Sequence, residues 1–156
     1  MWKNAKTIGI TSTVPSEVLR AAGYRPLDLN NLFISSPDRD RLVARAERDG
    51  FPLNCCQWIK GIYGVCMEQG IDLVLCVTTG DCSNTLMLME VLKLKGLRTI
   101  PFGFPAEPDE AGMQAALEGL ARTLGTSVRE AESVRARLAE PRRLAAELDR
   151  LTWEGT

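Results

Sequence analysis

The chain has 156 residues, 45% of them hydrophobic, which suits one compact domain able to bury a core without disulfide staples. Nineteen basic against 20 acidic side chains leave a formal charge of −1, so nothing marks a nucleic-acid binder or a polybasic membrane protein. The absence of histidine removes Ser/His and Cys/His nucleophile systems and every histidine-containing zinc site.

In chain order, Lys6 to Thr13 (KTIGITST) is a β-branched run that predicts a first strand. SEVLRAAG follows, with Ser16 placed to cap a helix and Gly23 to end it. Arg25 to Asn30 predicts a second strand, in which Leu27 and Leu29 alternate with polar neighbours. Residues 35–50 open on a cap signal, carry early acids and close on Gly50, so they predict a helix. After a turn at Pro52, residues 55–70 have apolar side chains at helical spacing, which Gly61 and Gly64 weaken. Ile71 to Thr79 (IDLVLCVTT) is apolar on both faces and predicts a central strand covered by helices on each side. Gly80 breaks it, a helix over 83–96 follows, and Arg98 to Phe104 predicts a fourth strand. Two helices are expected next, over 109–125 and 126–151, the second charge-dense and amphipathic.

This alternation predicts an α/β fold, a Rossmann-like parallel sheet with flanking helices. Residues 1–108 are expected to form that domain and residues 109–156 a C-terminal helical extension. No segment approaches the roughly 20 apolar residues of a membrane span, and the stretch MWKNAKTIGITSTVP has no apolar core of signal-peptide length, so a cytoplasmic location is expected.

Five cysteines, an odd number, argue for metal, redox or core roles over a disulfide framework. Cys82 sits where the central strand ends and a helix begins, in a setting suited to an iron-binding thiolate. Cys55 and Cys56 open the preceding helix, whose start can lie beside that same strand end. A vicinal pair does not readily close on itself, which makes ligation the more natural use. Cys55 to Cys66 along a continuous helix is about 16 Å, too far for one cubane, so Cys66 is assigned to the core. Cys76, in the middle of an apolar strand, is a core thiol. The predicted metal and cofactor ligands are therefore Cys55, Cys56 and Cys82. No catalytic residue is identified.

The segments VPSEVLRAAGYRPLDL, NCCQWIKGIYG, IDLVLCVTTGDCSNT and IPFGFP resemble, in order, the D-component family of 2-hydroxyacyl-CoA dehydratases. That family takes in benzoyl-CoA reductase subunits and double-cubane cluster proteins, and the likeness is to its N-terminal domain. The resemblance implies a Rossmann-like domain with an iron–sulfur cluster, [4Fe–4S] or double-cubane. It also implies low-potential electron delivery by a separate ATP-hydrolysing activator. By position Cys56 (or Cys55) and Cys82 match the cluster cysteines, and Glu17 and Gly23 match a structural helix motif. The family's Cys-Asp order stands here as Asp81-Cys82-Ser83, and the doubled cysteine favours the double-cubane branch. Family members carry two such domains in one chain, so a second chain, identical or homologous, is expected to complete the site. The expected function is that of a cluster-binding subunit or half-protein of a dehydratase-like reductase system. The alternatives are a non-enzymatic assembly or regulatory module of the same fold and, more weakly, a thiol-redox or zinc protein.

Overall fold

The structure, a computed structural model, describes residues 6–107 and 109–155. The domain boundary expected at Pro108, the first five residues of the N-terminal stretch and Thr156 lie outside the described residues. The described elements run β1 (Lys6–Ile10), α1 (Ser16–Ala21), β2 (Tyr24–Asp28), α2 (Leu29–Ile34), α3 (Arg39–Arg48), α4 (Gln57–Gln69), β3 (Leu73–Thr79), α5 (Asn84–Leu94), β4 (Arg98–Gly103), α6 (Glu110–Leu124), α7 (Val128–Arg137) and α8 (Ala139–Glu154).

The four strands form one parallel sheet in the order β2-β1-β3-β4. β3 is interior, as its two apolar faces require. Successive strand side chains point to opposite faces, and here each face has its own core. Leu73, Leu75 and Val77 join Ile8, Val18, Leu19, Phe102 and Leu120 on the side covered by α1, α6 and α7. Val74 and Cys76 join Phe33, Leu42, Ile62, Tyr63, Leu88 and Leu92 on the side of α2 to α5. Each fully buried Val or Leu contributes about 2 kcal/mol by removal from water, so β3 anchors both layers. The α/β, Rossmann-like architecture expected from the sequence is the one observed.

Two elements differ from expectation. The second strand ends at Asp28, whose carboxylate accepts the Asn30 and Asn31 amides at 2.9 and 3.2 Å and caps α2, a helix the strand-like alternation concealed. The long final helix is instead two, broken at Leu138. Pro141 has no amide to donate to the Arg137 carbonyl and its ring crowds that carbonyl, so α7 stops and Pro141 falls in the first turn of α8. Ser16 is the first residue of α1 and makes no cap bond through its side chain, Pro15 occupying the cap position. Among the described residues no helix is long and apolar enough to cross a membrane.

Candidate functional site

Strand order reverses direction between β1 and β3, because β2 lies to one side of this pair and β4 to the other. In a parallel sheet the chains leaving such neighbours part, opening a crevice at the carboxyl ends. A cleft of about 420 Å³ lies there, lined by residues from the ends of both strands and the starts of α4 and α5. Thr11 and Ser12 directly follow β1, Asp81 and Cys82 lie in the turn between β3 and α5, and Thr85 is in the first turn of α5. Asn30 of α2 and Cys56, Trp58, Ile59 and Ile62 at the head of α4 complete the wall.

Local geometry explains why both thiols are presented. Gly80 ends β3 at φ +83, and an added Cβ would meet Phe104 Cβ at 2.8 Å, so both conformation and space call for glycine. The turn it makes delivers Cys82 to the mouth of the cleft, exposed and free. Cys56 is the N-cap of α4 and its side chain makes no capping bond, leaving that thiol exposed and free as well. Cys55 is half-buried and packs against the core on the α2–α5 side. Cys66 and Cys76 are buried, and burial pushes each thiol up to about 12, so both stay protonated.

Hydrogen bonds hold the walls. Trp58 Nε1 donates to Asn30 Oδ1 at 2.6 Å, and Asn30 Nδ2 donates to the Thr11 carbonyl at 2.9 Å. Thr11 Oγ1 in turn accepts the Val77 amide at 3.0 Å, tying the tops of β1 and β3 together. A part-buried ion pair anchors the loop that carries the cysteine pair. Lys60 Nζ meets Glu47 Oε1 at 2.6 Å and also donates to the Leu53 carbonyl at 3.1 Å, pinning the 51–56 loop to α3 and α4.

The structure thus brings Cys56 and Cys82 to one cleft, with Cys55 next to it but turned inward. Ser12, Asn30, Trp58 and Thr85 were not singled out by sequence reasoning, whereas Asp81 was noted there as standing before Cys82 instead of after it. The Asp28 cap was the available signal for Asn30, whereas Trp58 fits the apolar helical stripe and reads as core. Soft thiolates without imidazole suit iron–sulfur ligation, and the cleft has room for a cubane. Among the described residues, however, no three or more of His, Cys, Asp or Glu gather closely enough to hold a metal ion by themselves. The donor set fits a cluster in kind and supplies part of it in number.

A comparison with curated proteins finds no match to this sequence. The family model described as 2-hydroxyglutaryl-CoA dehydratase, D-component, matches residues 11–154, nearly the whole chain and every wall of the cleft, and the chain belongs to that family.

Proposed function

We propose that this chain is the iron–sulfur cluster-binding subunit, or half-protein, of a dehydratase-like reductase system of the cytoplasm. The observation that supports it is the pair of exposed, free thiols, Cys56 and Cys82, facing one cleft at the reversal point of a parallel sheet. Cys56 and Cys82 are the ligands directed at the cleft. Cys55 joins them only by turning out of its packing against the core. A bound [4Fe–4S] or double-cubane cluster supplies low-potential, one-electron chemistry. The chain's own part is to hold the thiolates, to keep water away through Trp58, Ile59 and Ile62, and to offer Ser12, Asn30 and Asp81 as polar contacts. The remaining ligands come from a second cluster-domain chain, and a separate ATP-hydrolysing activator delivers the electrons. Residues 1–108 carry the site and 109–156 act as a connector-like extension.

Anaerobic reconstitution with iron and sulfide tests this reading. The expected product is brown, with broad charge-transfer absorption that Cys56→Ser and Cys82→Ser each diminish. Colourless, iron-free protein after reconstitution would refute it.

One observation favours a second reading, a non-enzymatic module that docks through its last helix. α8 buries none of its residues, and Leu144, Leu148 and Leu151 form an exposed stripe at i, i+4 and i+7. Partner binding that survives replacement of Cys55, Cys56 and Cys82 by serine would support this module over the cluster subunit.

A further inference from the structure

We infer that the Thr85 hydroxyl donates a hydrogen bond to sulfur of the group held in the cleft, and by doing so raises that group's reduction potential. This rests on the cluster-binding reading above and gives a role to a residue which that reading leaves unused.

The first argument is that the fold makes no use of this hydroxyl. A threonine inside a helix commonly donates to the carbonyl four residues back. Thr123 Oγ1 does so to Gly119 and Thr152 Oγ1 to Leu148, each at 2.9 Å. Thr85 lies in the first turn of α5, so the residue four before it, Asp81, precedes the helix, and that bond is not made. Among the described residues the Thr85 hydroxyl has no hydrogen-bond partner, although the residue is only 2% exposed. Thr99 Oγ1 on β4 also lacks a partner, but it is sealed from solvent. The Thr85 oxygen is not sealed, and what it keeps open belongs to the cleft that Thr85 lines. An unpaired hydroxyl so nearly buried is unfavourable for folding and is available to an occupant.

The second argument is what that occupant presents. The other polar side chains of the cleft are committed or wet. Thr11 Oγ1 accepts the Val77 amide at 3.0 Å, and Asn30 bonds both Trp58 and the Thr11 carbonyl. Ser12 is half-buried and Asp81 exposed, so water reaches both. A free oxyanion would meet Asp81 and no Lys or Arg among the lining residues, which disfavours it. Sulfur held at Cys82 is the acceptor that the turn itself brings. The Thr85 amide donates to the Cys82 carbonyl at 3.0 Å, so thiol and hydroxyl arise from one turn. Hydrogen bonds to the sulfurs of a cluster stabilise its reduced, more negative state and so move its potential upward.

The test compares Thr85→Val, which removes the hydroxyl and keeps the branched shape, with Thr85→Ser, which keeps the hydroxyl. In the apo chain the urea midpoint of Thr85→Val is expected at or above that of wild type, because no bond of the fold is lost. Thr11→Val, which strips the Val77 amide of its acceptor, is expected to fall and serves as the contrast. After anaerobic reconstitution with iron and sulfide, each protein is titrated with europium(II), each ion giving one electron, and followed by electron paramagnetic resonance. Thr85→Val is expected to hold as much iron as wild type and to be about tenfold harder to reduce, a fall of about 59 mV for one electron. Thr85→Ser is expected to stay at the wild-type potential. A Thr85→Val midpoint that falls as far as that of Thr11→Val makes the hydroxyl structural and overturns the inference. An unchanged potential in Thr85→Val, or an equal shift in Thr85→Ser, overturns it while cluster binding stands. Wild-type protein that takes up no iron removes both.

Discussion

The Lys60–Glu47 pair offers the sharpest test of the physics beneath the site, because its two partners differ in access to water. Lys60 is 1% exposed at its side chain and Glu47 is 29% exposed. Removing one partner of a buried pair costs about 3–5 kcal/mol when the other charge is left without solvent. Glu47→Ala leaves the ammonium sealed, with the Leu53 carbonyl its remaining acceptor among the bonds seen here, and should cost near the middle of that range, about 4 kcal/mol. Lys60→Met keeps most of the methylene packing and leaves a carboxylate that water can reach. Its cost is expected to be about 1–2 kcal/mol, mainly the lost hydrogen bonds. The double variant should match Lys60→Met alone, since the carboxylate then has no partner to lose. With a urea slope of about 2 kcal/mol/M, the midpoint should fall by about 2 M for Glu47→Ala and by less than about 1 M for Lys60→Met. Lys60→Met should also speed alkylation of Cys56, because the 51–56 loop loses its anchor at Leu53. Equal costs for the two single variants, or strict additivity in the double, would refute the reasoning.

Gly64→Ala should lose about 3 kcal/mol, despite a gain of about 1 kcal/mol in helix propensity, because its Cβ would stand 2.4 Å from the Leu42 carbonyl oxygen of α3. Gly61→Ala should cost less by the same urea titration, since its obstacle is the Phe33 ring at 2.3 Å, a side chain able to swing. Tyr63 Oη and Arg45 Nε donate to Asp49 Oδ2 at 2.7 and 2.9 Å, and these bonds, Tyr63 first, hold its carboxyl below the ordinary range. A folded pKa below the unfolded one stabilises the fold above the ordinary carboxylate range and ceases to do so as pH falls through the folded value. Tyr63→Phe should therefore flatten the acid limb of a stability-versus-pH curve and leave its shape near neutrality unchanged. Alkylation of native apo-protein at mildly alkaline pH should label Cys56 and Cys82 fastest and Cys55 more slowly. Cys66 and Cys76, raised to about 12 by burial, should react only on unfolding, as peptide mass spectrometry would reveal.

Much of the fold was legible before the structure, for reasons that can be traced to particular residues. The continuous apolar run IDLVLCVTT could only be a strand covered on both faces, and β3 indeed divides its side chains between two cores. Gly61 and Gly64, read as weaknesses in a helix, are the points where Phe33 and the α3 backbone come closest to α4. No local pattern carries that information, because the space a glycine vacates belongs to another element. The short helix α2 was hidden by alternation at Leu27 and Leu29, although Asp28 held the cap signal.

For the candidate site, composition alone restricted the chemistry to thiolates, carboxylates and hydroxyls, since the chain has no histidine. Helix rise likewise set Cys66 apart from Cys55, and strand position put Cys76 in the core. Which member of the vicinal pair faces the cleft was beyond the reach of spacing. Adjacent residues at a helix cap point in different directions, and only the packing of α4 on α3 and the sheet turns Cys55 inward and Cys56 out. That Cys56 and Cys82 line one cleft likewise comes from strand order. β1 and β3 are neighbours whose onward chains part to opposite sides, and that parting is a property of the assembled sheet.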